Sequence, residues 1–409
     1  MKKPNKRKII NDPVFGFINI PNELLYDIIQ HPYFQRLGRI KQLGLTSTVY
    51  PGAQHTRFQH SLGAMHLMGE AIAQLRQQGQ EITPSEAEAV RACILLHDIG
   101  HGPFSHALEH TLVKGVRHEE LSLLMMKQIN AEMSGKLDIA ISIFTNSYSK
   151  RFLHQLVSSQ LDMDRLDYLS RDSFYSGVSE GVIGAARIIK MLHVHDDHLV
   201  VEAKGIYSIE KFLVARRLMY WQVYLHKTSV AAEKMLINIL RRAKELASNQ
   251  QELFCTPSLH YFLYHDIDKK RFEQDPLALN SFASLDDSDI VSAIKVWTTS
   301  TDVVLSTLCS SFINRKLFKV QIRTEPLPES ESAAFLTKYM NQFKISENEA
   351  AYFFAEQTVS TDTYSPKDDS ISILYKDGSV KDIADASDML NIAVLTKKVE
   401  KHYLFYLRS

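Results

Sequence analysis

The chain has 409 residues, of which 45% are hydrophobic, and its 47 lysine and arginine residues balance 47 aspartate and glutamate residues. This length exceeds one ordinary hydrophobic core, so two domains are expected, and the zero net charge gives no overall field that would favour nucleic acid or a membrane surface. The three cysteines lack CxxC spacing, which argues against a disulfide framework and a thiolate zinc site. The sequence shows no signal peptide and no apolar segment of membrane length, which predicts a cytoplasmic protein.

Helical periodicity dominates the sequence from about residue 22 to about residue 247, and a polar segment that ends in proline follows at residues 249–257. Beyond this segment the pattern predicts strands at residues 317–323, 371–375 and 403–407. We therefore predict a mostly α-helical protein. Its helical domain covers residues 1–248, and a smaller α+β domain with an assembly or regulatory role covers residues 258–409.

The first helix that carries a metal-ligand side chain is predicted to begin near Arg57. On this helix His60 shares an apolar stripe with the residues at offsets of 4, 7, 11 and 15, which are Ala64, Leu67, Ala71 and Leu75. Side chains on such a stripe face the protein core. His60 is therefore predicted to point inward.

A second helix is predicted to begin just after Thr83, because a proline follows this residue and Glu86 stands at the third helical position. These are the features of an N-cap, a favoured first helical residue and a capping box. His97 falls on the buried face of this helix, Asp98 follows it directly, and Gly100 is predicted to end the helix.

A third helix is predicted over about residues 151–170, with Asp164 on its apolar stripe. A buried carboxylate without a partner costs roughly several kcal/mol, so this position indicates a nearby cation. Two imidazoles and two carboxylates on three helices indicate one shared ion. We predict that a single divalent metal ion, which is manganese, iron, magnesium or zinc, is bound by His60, His97, Asp98 and Asp164.

The segment 97–106 (HDIGHGPFSH) places His101 and His106 beside the predicted metal ion, with glycines that are expected to let a ligand approach the backbone. On spacing alone His118 is better explained as a solvated histidine at the start of a helix. If such a metal centre acts on a phosphate ester, the site also needs cations that neutralise the phosphate oxygens. The candidate cations are Arg57 and Arg165, which are close in sequence to predicted metal ligands, and Arg216 and Lys227, on a helix predicted over residues 206–240.

Three segments together resemble the HD-domain deoxynucleoside triphosphate triphosphohydrolases: residues 57–63 (RFQHSLG), 97–106 (HDIGHGPFSH) and 162–168 (DMDRLDY). The resemblance covers about the first 230 residues, from the Asp12-Pro13 pair to residues 224–227 (YLHK), and is looser beyond them. It implies cleavage of a deoxynucleoside triphosphate between the α-phosphorus and O5′, which gives a deoxynucleoside and inorganic triphosphate. It also implies a homodimer or homotetramer.

The resemblance further implies a role for individual residues in catalysis. His106 would protonate the departing O5′, and His118 would form a supporting dyad with Glu109, a position where the family usually has aspartate. These roles replace the solvated reading of His118. The catalytic residues implied in this way are His106, His118, Glu109, Arg57 and His101.

The substrate-binding residues that the resemblance implies serve the phosphates and the sugar. Gln42 and Asp172 would contact the 3′-hydroxyl, and Leu43 would crowd a 2′-hydroxyl, so that ribose is excluded by shape. The whole set is Gln42, Leu43, Arg165, Tyr168, Asp172, Arg216, Tyr224 and Lys227. The family's charged contacts to an activating guanine nucleotide correspond to Gln30 and Gly38, so activation of that type is expected to be lost or changed.

Two other functions compete with this prediction. One is an HD phosphodiesterase or nucleotidase that acts on other nucleotides or on nucleic-acid ends, and the other is a nucleotide-sensing protein without turnover. The additional arginines and the sugar-contacting residues favour the triphosphohydrolase over the first. The presence of both His106 and His118 argues against the second.

Overall fold

The computed structural model describes residues 8–109, 111–113, 115–361, 370–388 and 399–408, and the side chains of His106, Ser360 and Thr361 lie outside the described part. Helices dominate the chain up to Ser248. They are α1 (Glu23–Gln30), α2 (Pro32–Gln35), α3 (Arg57–Gln77), α4 (Pro84–Leu96), α5 (Ser105–Glu109), α6 (His118–Glu132), α7 (Asp138–Phe144), α8 (Arg151–Gln155), α9 (Met163–Ser176), α10 (Ala185–Met191), α11 (Ile206–Met219) and α12 (Lys227–Ser248).

The remaining chain combines shorter helices with strands, which confirms the predicted mostly α-helical class with a smaller sheet-containing C-terminal region. Its helices are α13 (Pro257–Tyr264), α14 (Lys269–Gln274), α15 (Pro276–Ser284), α16 (Asp287–Trp297), α17 (Val303–Ile313), α18 (Glu329–Phe343), α19 (Glu347–Ala350) and α20 (Ile383–Ala386). The strands in the described ranges, from both parts of the chain, are β1 (Lys8–Asp12), β2 (Gly16–Ile20), β3 (Leu192–His195), β4 (His198–Glu202), β5 (Lys319–Arg323), β6 (Phe354–Thr361), β7 (Ser372–Leu374), β8 (Val380–Asp382) and β9 (Val399–Tyr406).

Helices α3 and α4 begin where the sequence predicts. The side chain of Gln59 accepts a hydrogen bond from the Thr56 backbone at 2.8 Å, and the Glu86 carboxylate accepts one from the Thr83 backbone at the same distance. These bonds satisfy amide groups that a helix start leaves without an intrahelical partner. Helix α3 packs against both α4 and α9, and His60 on α3 is fully buried, as predicted.

The predicted third helix over residues 151–170 is wrong, because the chain forms two helices there, α8 and α9. Asp162 interrupts the helix: its carboxylate accepts hydrogen bonds from the backbone of Ser159 at 2.8 Å and of Arg165 at 2.7 Å. It is therefore the N-cap of α9. Asp164 then lies in the first turn of α9, where a helix dipole favours a carboxylate.

The predicted continuous helix over residues 206–240 is also interrupted. After α11 the chain forms a π-helical turn at Tyr220–Tyr224, with the Leu225 amide donating to the Tyr220 carbonyl at 2.7 Å, and α12 begins at Lys227. A periodicity argument cannot locate such a turn, because the apolar pattern continues on both sides. Such wide turns often occur at functional sites.

The strands form three sheets. Strands β1 and β2 make an antiparallel hairpin, β5, β9 and β6 make an antiparallel sheet, and the third sheet has the order β3-β4-β7-β8 with β4 and β7 parallel. The three predicted strands correspond to β5, β7 and β9, whereas the others were not predicted. The third sheet contains β3 and β4, which precede residues 249–257, and β7 and β8, which follow them. The two predicted domains therefore share a sheet, and a domain boundary at residues 249–257 stays a prediction.

Within the described ranges, the helices all lack the combination of length and apolar character that crossing a bilayer requires.

Candidate metal centre and adjoining cavity

The four predicted metal ligands meet at one place, where α3, the end of α4 and the start of α9 converge. Nε2 of His60 and Nε2 of His97 lie 3.1 and 3.4 Å from Oδ1 of Asp164. Oδ1 of Asp98 is 3.4 Å from the His97 nitrogen, and its Oδ2 is 3.8 Å from the His60 nitrogen. Ligand atoms that share one cation at about 2.0–2.3 Å stand roughly 3–4 Å apart, so the spacing of His60, His97 and Asp164 suits one ion. Asp98 borders this group and forms a second group of candidate ligands with His101 and His118.

The chemistry of the donor atoms also fits a cation. Nε2 of His60 and Nε2 of His97 are both buried, and within the described residues neither has a hydrogen-bond partner. Burial lowers the pKa of His60, yet the facing carboxylates of Asp164 and Asp167 raise it to about 10. Conversely, although burial raises the pKa of Asp164, the two imidazoles hold it well below its usual range. The cluster therefore attracts positive charge, as a metal site does.

Three of the four predicted ligands, His97, His60 and Asp98, are oriented by a second contact behind them. Nδ1 of His97 lies 2.6 Å from the Ile94 carbonyl, and Nδ1 of His60 lies 2.7 Å from Oδ2 of Asp167. Both contacts place a proton on Nδ1, so Nε2 is the atom that would bind a metal in place of a proton. The Arg57 guanidinium donates to Oδ2 of Asp98 at 2.5 Å, so a cation stands directly beside the cluster.

His101, His118 and Glu109 form a row next to Asp98. Nε2 of His101 is 3.3 Å from Oδ1 of Asp98, and its ring stacks on that of His118 with the centroids 3.8 Å apart. Nδ1 of His118 is 3.4 Å from the Glu109 carboxylate, so the two members of the predicted dyad lie together. Burial and Arg57 hold the pKa of His101 well below its usual range, which keeps this ring neutral. His106 lies in α5, but its side chain is outside the described part, and its role stays a prediction.

The glycines of segment 97–106 have a different role from the predicted one, which was to let a ligand approach the backbone. A Cβ on Gly100 would lie 2.2 Å from the His118 carbonyl oxygen, and a Cβ on Gly102 would lie 2.6 Å from the Leu108 side chain. These positions are filled by protein, so the expectation that they let a ligand approach is wrong. Gly100 instead lets α6 approach closely, which places His118 at the cluster.

Arg36 holds the backbone of this segment. Its fully buried guanidinium donates to the carbonyls of Ile99 at 3.1 Å, His101 at 2.6 Å and Leu285 at 3.0 Å. Burial lowers the pKa of Arg36 to about 9, and its guanidinium lies over the Phe282 ring at 4.8 Å. The C-terminal half of the chain therefore contacts the segment that carries the histidines.

A cavity of about 740 Å³ opens beside the cluster. Arg57 and Ser105, which contact Asp98 and His101, form part of its wall. Three of the residues predicted to bind substrate, Gln42, Leu43 and Tyr224, also line it. Much of the remaining wall comes from α12, the π-helical turn and β6, with Lys234, Arg241, Tyr220, Gln357 and Val359 among its residues, and residues 44–46 and Phe104 also line it.

Arg165 and Arg216 lie near Tyr168, which neighbours Tyr224, but these three predicted substrate-binding residues are not among those that line the cavity. The rings of Tyr168 and Tyr224 are 6.1 Å apart, and burial with the neighbouring Tyr220 raises the pKa of Tyr168. Arg165 donates to the Ser159 carbonyl at 2.6 Å, and Arg216 donates to Gln160 at 2.8 Å. Lys227 is exposed at the start of α12 and is not among the residues that line the cavity.

Asp172 is buried beneath the cavity wall. Its Oδ2 accepts a hydrogen bond from the Tyr224 hydroxyl at 2.8 Å, and its Oδ1 lies 2.7 Å from Nε2 of His55. The His55 ring stacks on Tyr175 at 4.5 Å. Asp172 thus fixes the position of Tyr224, and its predicted contact with the substrate stays a prediction.

Sequence reasoning missed several of these partners. Asp167 comes three residues after Asp164 on the same helix, a spacing that places both on one face and could have identified it. His55 lies in a loop without periodicity, and Arg36 acts through carbonyl groups distant in sequence, so neither left a local signal.

Comparison with known proteins gives consistent matches. The family model described as HD domain matches residues 57–172, and the model described as HD associated region matches residues 183–256. The chain is 32% identical to the uncharacterized protein YwfO of Bacillus subtilis, over 99% of this chain and 93% of that protein. The first model therefore spans all four predicted metal ligands.

Two further matches are to proteins that are named as phosphohydrolases. The chain is 34% identical to the deoxynucleoside triphosphate triphosphohydrolase SAMHD1 homolog of Dictyostelium discoideum, over 60% of this chain and about half (51%) of that relative. The crystal structure of a phosphohydrolase from Bacteroides thetaiotaomicron superimposes with a TM-score of 0.96 at 63% identity, covering 98% of this chain and all of that one.

Proposed function

Since this chain belongs to the HD-domain phosphohydrolase family, we propose that it is a metal-dependent deoxynucleoside triphosphate triphosphohydrolase, which releases a deoxynucleoside and inorganic triphosphate. One observation carries the choice of substrate: the cavity beside the His and Asp cluster is lined by Arg57, Gln42, Leu43 and Tyr224 together. Its volume of about 740 Å³ falls in the usual range for small-molecule sites.

HD domains bind divalent metal ions, and His60, His97, Asp98 and Asp164 would hold one here. When bound, such an ion supplies Lewis acidity, which makes water a better nucleophile and neutralises phosphate charge. The two imidazoles favour manganese, iron or zinc over magnesium, which prefers oxygen ligands.

The chain's own residues would hold the substrate and move the proton. Arg57, fixed by Asp98, would neutralise a phosphate oxygen next to the cluster, and Arg165 and Arg216 would serve the phosphates further away. His106 would donate the proton to the leaving O5′, with His118 and Glu109 beside it as a proton-holding pair. The neutral His101 would keep Asp98 in place.

The sugar would be selected by shape and by one hydrogen-bonded pair. Leu43 lines the cavity as an apolar side chain that a 2′-hydroxyl would contact unfavourably. Gln42 also lines it, and its Oε1 is buried without a hydrogen-bond partner within the described residues. Such an atom gains from a ligand donor such as a 3′-hydroxyl. Tyr224, fixed by Asp172, would pack against the sugar together with Tyr168.

The experiment is a product analysis. Manganese-loaded protein is incubated in separate reactions with each dNTP, rNTP and dNMP and with single-stranded DNA, and the products are resolved by ion chromatography and ³¹P NMR. Inorganic triphosphate from dNTPs alone is expected. Orthophosphate or pyrophosphate from a dNTP would contradict the proposed bond cleavage.

The same experiment distinguishes the alternatives. Release of phosphate from dNMPs, or of nucleotides from single-stranded DNA, would indicate an HD nucleotidase or phosphodiesterase. Thermal stabilisation by dNTPs without any product would indicate a nucleotide-sensing protein. Turnover without GTP is expected, because Gln30 and Gly38 cannot supply charged contacts to an activating nucleotide, and strict GTP dependence would contradict that.

We also propose a homodimer or homotetramer, with the residues 258–409 contributing to assembly or regulation. Light scattering coupled to size-exclusion chromatography measures the mass directly. A monomer at micromolar concentration that retains full activity would contradict this part of the proposal.

A further inference from the structure

A row of buried charges runs from the metal ligand His60 to the N-terminal hairpin. Asp167 contacts Nδ1 of His60 at 2.7 Å and accepts two hydrogen bonds from the Arg171 guanidinium, each of 2.9 Å. The same guanidinium donates to Oδ2 of Asp12 at 2.7 Å. Asp12 is the last residue of β1, so the row joins the hairpin β1–β2 to the cluster.

Asp12 serves the hairpin turn and this row at the same time. Its Oδ1 accepts hydrogen bonds from the backbone amides of Val14 at 3.0 Å and Phe15 at 2.9 Å, which closes the turn. The Phe15 ring lies 5.6 Å from the Arg171 guanidinium. The position of Asp12 therefore depends on the hairpin being formed.

The row is enclosed by protein. Asp167 and Arg171 are fully buried, and Asp12 is 7% exposed. A Cβ on Gly63 would lie 1.9 Å from Oδ1 of Asp167 and 2.1 Å from Nη2 of Arg171, so only glycine fits at this point of α3. Buried ions keep their mutual attraction because water does not screen them, and each is costly without its partner.

The two histidines of the cluster are thus oriented by different means. His97 is oriented by a carbonyl of its own helix, the Ile94 carbonyl, whereas His60 depends on a carboxylate. The Asp167 carboxylate holds the proton on Nδ1 and so directs Nε2 toward the cluster. Arg171 aligns Asp167 through its two hydrogen bonds, and Asp12 supplies the second carboxylate that contacts Arg171.

We propose that Asp12 is a positioning residue of the metal centre, which acts through Arg171 and Asp167 on His60 and thereby couples formation of the hairpin to metal affinity. This inference rests on the proposed metal centre. Because coupling between two sites is reciprocal, metal binding stabilises the hairpin as much as the hairpin strengthens metal binding.

The test compares Asp12→Asn with a control in the same hairpin. Asparagine retains an oxygen that can accept from the two turn amides but removes the charge that faces Arg171. The control is Phe17→Ser on β2, because the Phe17 side chain is 70% exposed. Isothermal titration of the metal-free proteins with Mn²⁺ is expected to show affinity about 10- to 100-fold weaker for Asp12→Asn, and unchanged for Phe17→Ser.

Two further readouts separate positioning from general damage. The Co²⁺ absorption spectrum of Asp12→Asn should differ from that of the unmodified protein, since it reports ligand geometry. Hydrogen exchange of the β1 and β2 amides should slow when Mn²⁺ is added to the unmodified protein, and much less in the variant. Thermal melting of the metal-free proteins shows whether the variant is folded.

The outcomes are distinguishable. If the unmodified protein itself fails to bind Mn²⁺, the metal centre of the proposed function is refuted, and this inference is refuted with it. If the unmodified protein binds Mn²⁺ and folded Asp12→Asn binds it equally well with the same Co²⁺ spectrum, only the positioning role is overturned. If Asp12→Asn is unfolded, hydrogen exchange of the unmodified protein is the deciding measurement. If exchange of the β1 and β2 amides then does not slow when Mn²⁺ is added, the coupling is overturned.

Discussion

The metal centre and the cavity beside it differ in how the groups that would meet a ligand are held in place. Behind the cluster, Asp167, Arg57 and the Ile94 carbonyl each contact a ligand at 2.7 Å or less. On the cavity wall, Oε1 of Gln42 and Oγ of Ser229 are buried without a hydrogen-bond partner among the described residues. The residues of the cluster are therefore held in place before anything binds, whereas the cavity wall has buried polar atoms that a ligand would satisfy. Changes at the cluster should therefore abolish function, and changes in the cavity should alter selectivity by degrees.

The largest effect is expected for Asp164→Ala. This change removes the oxygen that faces Nε2 of both imidazoles, so metal binding should be lost and dNTP hydrolysis should fall at least about 10³-fold. Metal content is measured by mass spectrometry and rate by triphosphate release. Asp266→Ala is the matched control, since that side chain is 97% exposed. An Asp164→Ala protein that kept both metal and activity would refute the assigned centre.

Metal removal should have the next largest effect. Because an ion that binds only the folded state stabilises it, Mn²⁺ at 100 times its dissociation constant should raise the free energy of unfolding by about 2.7 kcal/mol. Urea denaturation with Mn²⁺ and with EDTA measures this difference. Asp164→Ala should show no such difference, and an equal response in both proteins would place the stabilising ion elsewhere.

A smaller and selective effect is expected for Leu43→Ala. Removal of this apolar wall should reduce the preference for dNTPs over rNTPs about 10- to 100-fold, with little change in metal affinity, because a methylene contact discriminates by about 1–3 kcal/mol. The ratio of kcat/KM values for the two sugar classes is the measurement. Leu45→Ala, at another residue of the same cavity, is the control. Equal loss of selectivity in both variants would argue against a specific role for Leu43.

The smallest effect is expected for a change of Glu86, which lies in the first turn of α4, at the opposite end of this helix from His97. Although burial raises the pKa of Glu86, hydrogen bonds from Lys150, the Thr83 backbone and Tyr148 lower it to about 2. A lowered pKa means that this stabilisation is present above the unfolded value near 4.3 and is lost as the pH falls through about 2.

Glu86→Gln should therefore lower the free energy of unfolding by about 1 kcal/mol at pH 7, and the difference should vanish near pH 2. Acid titrations of both proteins followed by circular dichroism measure it. Mn²⁺ affinity at pH 7 should be unchanged. A weakened affinity would mean that the start of α4 contributes to the metal centre.

Local signals allowed part of this molecule to be predicted. The helix start at Pro84 follows from capping residues, and the polar side chains on apolar stripes indicated where ligands converge. The single helix predicted over residues 151–170 failed because Asp162 uses its carboxylate as an N-cap, which overrides the periodicity. The contact between Asp12 and Arg171 joins residues 159 positions apart, so no local pattern indicates it.

The pairing of β4 with β7 bears on how a nascent chain folds. Residues Val200–Glu202 pair in parallel with residues some 170 positions later, Ser372–Leu374. At a synthesis rate of about 5–20 residues per second, a ribosome needs roughly 10 to 30 s to make the intervening segment. During this time the apolar edge of β4, with Val200 and Val201, stays open to pairing with other chains. A chaperone that covers this edge would therefore be most useful while the protein is still being made.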